Sequence, residues 1–256
     1  MSGQIRSEIR EGIGRIVIDR PDKMNSITVE MKPQLAEAFA GMDANPEVRC
    51  VILTGSGDRA FSSGSDLNSL SLQEGAWAFR NRIEYAKVVC DCRKPVIAAL
   101  KGWVLGGGLE MALAADIRIA GASARLGLPE VKRGWLPGGG ASQLLPRLVG
   151  YGQAMMLMLT GEPIDAEAAL RVGLVEEVVS DEDLEARVAE LAKLIASHSA
   201  VATQSIKAAT RMALSTPLEA GLQYENELHV VGMQSRDRAV GAATLEGERA
   251  AKPSGN

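Results

Sequence analysis

The sequence predicts an α/β fold, and three observations carry that expectation. Short, continuous apolar runs such as Val48–Leu53 and Pro95–Ala99 read as strands buried on both faces. These runs alternate with helical stretches up to about residue 180. The chain has 256 residues, a size at which such a fold buries a large core without disulfides or metal.

The elements follow in order. Ile5–Arg10 and Ile16–Asp19, joined through Gly12-Ile13-Gly14, read as a hairpin. Thr28 is the expected N-cap of a helix that places Leu35, Phe39 and Met42 on one face. Val48–Leu53 is the next strand, followed by a Gly/Ser-rich loop from Gly55 to Ser65 and a helical stretch over Asp66–Cys90. Pro95–Ala99 is a second buried strand. A glycine cluster then leads into a helix from Gly106 to Ala115, and Asp116–Ala120 is a third strand. From Val149 to Ala213 the pattern is helical, punctuated at Gly161, Gly173 and Ser180, with Val175–Val179 as one more strand. Thr216–Gly247 is helical and polar, with too few apolar residues for a core of its own, which suggests packing against another subunit.

Composition narrows the function. The chain is 46% hydrophobic and 23% charged, ordinary for a globular protein. A net charge of −4 argues against nucleic acid as partner. No apolar run approaches the roughly 20 residues of a membrane span, and MSGQIRSEIREG has no apolar core of a secretory signal. A cytoplasmic location is expected. Cys50, Cys90 and Cys92 are odd in number and lack metal-ligand spacing, and His198 and His229 are the only histidines. Carboxylates and backbone dipoles are therefore the natural chemical groups.

Three segments concentrate them. Gly106-Gly107-Gly108 opens an apolar helix, and the first amides of a helix favour an oxyanion. Glu110 lies three residues after Gly107, on the same face, with its side chain leaning back toward that amide. A tight helix–strand packing turn is the competing reading of this cluster. Neither a dinucleotide fingerprint nor a P-loop is present. Phe61-Ser62-Ser63-Gly64-Ser65-Asp66-Leu67 lies past a strand, where α/β folds place ligands. It reads either as a second source of amides or as a surface turn with Asp66 as a helix cap. Glu130 follows Pro129 among Leu126, Leu128 and Val131, and is either a desolvated proton donor or a surface glutamate.

Taken together, these segments resemble the crotonase (enoyl-CoA hydratase/isomerase) superfamily, most closely its enoyl-CoA hydratases. FSSGSDL is similar to the family's F-x-x-G-x-D-[LI] segment. KGWVLGGGLEMALAADIRIA is similar to its glycine turn and helix, and ARLGLPEVKRGWLPGGGASQLLPRLVG to the stretch carrying its second Glu. Met24-Asn25-Ser26, TGEPIDAEAALRVGLVEEVV and Lys207 match as well.

The resemblance implies a crotonase spiral of ββα units over residues 1–195 and a C-terminal helical trimerisation region over 196–256, assembling as trimers or hexamers. It implies the amides of Ser63 and Gly107 as an oxyanion hole and Glu110 and Glu130 as the catalytic carboxylates. Met24, Ser26, Ser63, Gly64, Ser65, Asp66, Leu67 and Gly107 would line the coenzyme A groove. Hydration of a trans-2-enoyl-CoA is the implied reaction, in fatty acid metabolism. Coenzyme A enters with the substrate, and neither a separate cofactor nor a metal is expected. Other crotonase reactions and a non-catalytic CoA-binding role are the alternatives. Departures from the pattern are Asn68 in place of a lysine, Ala141 in place of a frequent glycine, bulky Trp135, and no Phe near the C-terminus. Trp77, Trp103, Trp135 and Leu136 are read either as walls of the acyl pocket or as core.

Overall fold

A computed structural model describes residues 3–70, 75–235 and 237. The chain divides into two compact units, Met1–Ile195 and Ala196–Asn256.

The first unit opens with β1 (Gln4–Arg10) and β2 (Ile13–Asp19), an antiparallel hairpin. Glu11 and Gly12 both take positive φ, which matches the twist of the two strands. A 3-10 turn at Pro21–Lys23 leads to α1 (Met31–Ala44). This helix buries Leu35, Phe39 and Met42 as its spacing requires, but it starts three residues past the expected Thr28 cap. Pro33 tolerates that start, because the first-turn amides have no intrahelical acceptor.

Three repeats of one pattern follow. β3 (Cys50–Gly55) leads to β4 (Ala60–Ser62), then to α2 (Leu67–Leu70), α3 (Gly75–Arg80) and α4 (Tyr85–Asp91). β5 (Val96–Leu100) leads to β6 (Trp103–Leu105) and α5 (Gly107–Ala114). β7 (Ile117–Gly121) leads to β8 (Arg125–Gly127), a 3-10 turn at Pro129–Arg133, and then α6 (Ala141–Val149) and α7 (Tyr151–Thr160). β9 (Ile164–Asp165), α8 (Ala166–Arg171), β10 (Glu177–Val179) and α9 (Leu184–Ser197) complete the unit.

In each repeat the long strand joins one sheet and the short strand another. The six-stranded sheet has the order β1-β2-β3-β5-β7-β10, and the four-stranded sheet β4-β6-β8-β9. From β2 to β10 every neighbour in the larger sheet is parallel. β3 and β5 are buried along their whole length, which is why they read as unbroken apolar runs. This is the spiral of ββα units. Of the helical stretch expected over Asp66–Cys90, Leu67–Leu70, Gly75–Arg80 and Tyr85–Asp91 are helical, and residues 71–74 lie outside the described residues.

In the second unit, α10 (Ala200–Ala213) and α11 (Leu218–Met233) pack together. Lys207 is the only residue of these two helices that is buried. The helical stretch expected to reach Gly247 is described as far as Met233, and its remainder lies outside the described residues, apart from isolated positions.

Candidate active site

The three sequence segments converge on one cavity of about 620 Å³, within the first unit. Glycines permit the approach. Gly106 (φ 53°, ψ −126°) turns the chain from β6 into α5, and its N–H donates to Gly127 O of β8 at 3.0 Å. Gly64 takes φ +86°, and a Cβ there would lie 2.7 Å from Gly107 N. The loop after β4 therefore presses its backbone against the first residue of α5.

The amides divide by orientation. Ser63 lines the cavity, yet its N–H donates to Met24 O at 2.9 Å. This corrects the expected role of Ser63 as an oxyanion donor. Two residues on, Ser65 forms a parallel bridge with Ile27, in which Ile27 N–H donates to Gly64 O and Asp66 N–H to Ile27 O. Successive peptides alternate in direction along a strand, so the Ser65 N–H points away from Ile27, on the side of the cavity that Ser65 lines. Gly107 lines the same wall as the first residue of α5, where the N–H has no acceptor within the helix.

Glu110 is 3% exposed. Its carboxylate does not rest on the Gly107 amide, as the lean of a helical side chain suggested. Its Oε1 accepts from Gly139 N at 2.6 Å and from Ala141 N at 3.2 Å. Both donors belong to the backbone entering α6, so Ala141 serves here whatever its side chain. Burial pushes the Glu110 carboxyl up to about 7, against the pull of these two amides, and the nearby carboxyls of Glu130 and Glu84 add to the rise.

Glu130 stands on the 3-10 turn at Pro129–Arg133. Its Oε2 is buried with no hydrogen-bond partner among the described residues. Burial raises this carboxyl above the ordinary glutamate range, while its own backbone amide and Arg133 pull it back. Its Oε1 sits 2.8 Å from where a Cβ on Gly106 would be. Both glutamates thus meet the start of α5.

Leu67, Phe79, Trp135 and Leu136 supply apolar wall. Trp77 (71% exposed) and Trp103 (39%) lie elsewhere, so two of the four expected wall residues serve. Sequence reasoning missed Arg82 and Glu84, which form an ion pair on the same wall. The Arg82 guanidinium lies 3.8 Å from the Phe79 ring centroid, and burial raises the Glu84 carboxyl. No motif marks either residue, because they stand in a stretch that read only as helix.

Met24, Ser26, Gly64 and Asp66, expected along the groove, do not line this cavity, although Met24 O accepts from Ser63 N of its wall. Asp66 Oδ1 accepts from Asn68 N and Ser69 N at the start of α2, and its Oδ2 pairs with Arg20, which holds the carboxyl below its usual range. Its side chain is therefore both helix cap and ion-pair partner, the first of which the sequence suggested.

Taken as chemistry, a helix start and an outward-turned strand amide can stabilise an oxygen that gains negative charge. Two carboxyls raised by burial can move protons beside it.

Comparison with known proteins shows the family. The family model for enoyl-CoA hydratase/isomerase matches residues 8–251. The (E)-benzylidenesuccinyl-CoA hydratase of Thauera aromatica is 36% identical, over 95% of this chain and 96% of that protein. The crotonyl-CoA hydratase of Syntrophomonas wolfei is 35% identical over 95% of each. Among solved structures, the 1.8 Å enoyl-CoA hydratase from Bacillus anthracis superposes with a TM-score of 0.91 at 34% identity, covering 95% of this chain and 96% of that one. By sequence, fold and match length, this chain belongs to the enoyl-CoA hydratase/isomerase family, within the crotonase superfamily.

Proposed function

We propose that the protein is an enoyl-CoA hydratase that adds water reversibly to a trans-2-enoyl-CoA and gives a 3-hydroxyacyl-CoA. The observation that carries this reading is the pair of desolvated carboxyls, Glu110 and Glu130, in one cavity beside the start of α5. The thioester oxygen takes the N–H groups of Gly107 and Ser65. Water lies between the two carboxyls. Glu110, ionised, accepts one of its protons as the oxygen bonds to C3. The electron pair of the double bond moves onto the thioester as an enolate, which the two amides stabilise. Glu130, protonated, then delivers a proton to C2. One such backbone donor is worth roughly 3–4 kcal/mol. A proton then passes from Glu110 back to Glu130 to restore the starting state, so water and protons balance without a redox step and coenzyme A enters only as part of the substrate.

Two further parts belong to the proposal. Ile206 (65% exposed), Leu218 (77%) and Leu222 (50%) leave the second unit with apolar surface, which supports self-association as a trimer or hexamer. Among the described residues no helix is long and apolar enough to cross a membrane, which is consistent with a cytoplasmic place. The acyl groups named for the two relatives differ widely, so a panel of thioesters is the test. Loss of the conjugated thioester absorbance with 2-enoyl-CoA substrates, and a 3-hydroxyacyl product by mass, is the expected result. A 3-enoyl-CoA product, or no turnover across the panel, would overturn it.

A further inference from the structure

Arg20 and Asp66 stand outside the cavity and move no proton in the reaction proposed above. They nevertheless join the two chain segments that carry its amide-bearing wall. Arg20 Nη1 reaches both the Asp66 carboxylate and Ser26 Oγ, the latter at 2.8 Å. Their side chains are only 16% and 11% exposed. An exposed pair would contribute little, whereas one this far withdrawn from water leaves a poorly solvated charge when either partner is removed. Around it the backbone is laced shut. Ser63 N–H donates to Met24 O at 2.9 Å, Ile27 N–H to Gly64 O at 2.8 Å, and Asp66 N–H to Ile27 O at 2.9 Å. Ser62 Oγ donates to Asn25 O at 2.8 Å. Ser65 lies inside this short ladder, one residue from the ion pair.

We infer that the Arg20–Asp66 pair is a positioning clasp for the Ser65 amide, which sets how well the cavity holds an oxyanion rather than how well it holds a thioester. The inference rests on the role proposed above for Ser65. The two oxygens of Asp66 make it separable from folding, since Oδ1 caps α2 and Oδ2 meets Arg20. Asp66→Asn keeps an oxygen for the cap and removes the charge. Arg20→Lys keeps the charge and replaces the planar guanidinium, whose Nη1 reaches Ser26 and Asp66 together, by an ammonium on a differently shaped stem.

The test compares two ligands. Acetoacetyl-CoA can bind as an enolate with negative charge on the thioester oxygen, whereas butyryl-CoA cannot. Asp66→Asn should lower kcat about 10- to 100-fold, the scale of one misaligned donor, with KM within about threefold. Affinity for acetoacetyl-CoA should fall in step while affinity for butyryl-CoA holds, and Arg20→Lys should lie between this variant and the wild type. Unchanged kcat in Asp66→Asn, or an equal loss for both ligands in either variant, would overturn the clasp. If the wild-type protein hydrates no enoyl thioester, the hydratase reading fails by itself, and the two-ligand comparison still decides the clasp.

Discussion

Glu110 and Glu130 are the same residue type in the same cavity, and the protein treats them differently. Glu110 rises from α5, and two backbone amides hold one of its oxygens. Glu130 sits on a 3-10 turn, with one oxygen buried and without a hydrogen-bond partner among the described residues. Amides that donate to a carboxylate favour its ionised form and fix its direction, and a bare buried oxygen favours the proton. The contrast teaches how one buried cavity can support two carboxyls differently; on the mechanism proposed above, Glu110 serves as the oriented base and Glu130 carries the proton.

Removing either carboxyl is the strongest way to break that contrast. Glu110→Gln and Glu130→Gln should each lower kcat by about 10²–10⁴-fold, measured by steady-state hydration. If the roles are as assigned, the acid limb of the kcat/KM profile, set near 7, should vanish in Glu110→Gln and persist in Glu130→Gln at its reduced rate.

Stability against pH sharpens the same point. Burial pushes the folded Glu110 carboxyl up to about 7, above its ordinary value of 4.5, so the folded protein keeps that proton longer than the unfolded chain. The penalty for ionising it is absent below pH 4.5, grows as pH rises, and is complete above 7. It amounts to about 3 kcal/mol. Urea melts of the wild type, referenced to Glu110→Gln, should show a loss on that scale between pH 4.5 and 8.

Next come the glycines that crowd each carboxyl. A Cβ on Gly139 would lie 2.9 Å from Glu110 Cδ, and one on Gly106 would lie 2.8 Å from Glu130 Oε1. Gly139→Ala and Gly106→Ala should each cost about 1–3 kcal/mol. Each should also lower kcat about 10- to 100-fold by moving one glutamate, with Gly106→Ala the worse because of its positive φ. The smallest expected effect is a control. Asp165 Oδ1 caps α8 by accepting from Ala168 N at 2.8 Å. Asp165→Ala should cost about 1 kcal/mol in a thermal melt and leave kcat unchanged.

Much of this was legible in the residues. The long strands announced themselves because burial on both faces demands unbroken apolar runs, and the Gly107–Ala114 helix because its glycines and apolar stripe are local. The four-stranded sheet was not visible. β4, β6, β8 and β9 have two or three residues each, too few for a period to show. The two glutamates were found from their motifs, and the rise of Glu130 was readable from its apolar neighbours. That Glu110 hangs from Gly139 and Ala141 was not, since those donors come from a different helix start. The misplaced oxyanion amide has a similar cause. Which of the Ser63 and Ser65 amides faces the cavity depends on pairing with Met24 and Ile27, which lie far upstream and set the phase of the strand.

That phase has an evolutionary corollary. A one-residue insertion between Phe61 and Asp66 would exchange inward and outward peptides, and a ladder this short has no spare rungs in which to absorb the slip. Lengthening should therefore be tolerated at the β1–β2 turn or beyond α7 and forbidden in this stretch. The spacing between that phenylalanine and that aspartate is as much a part of the machinery as any side chain.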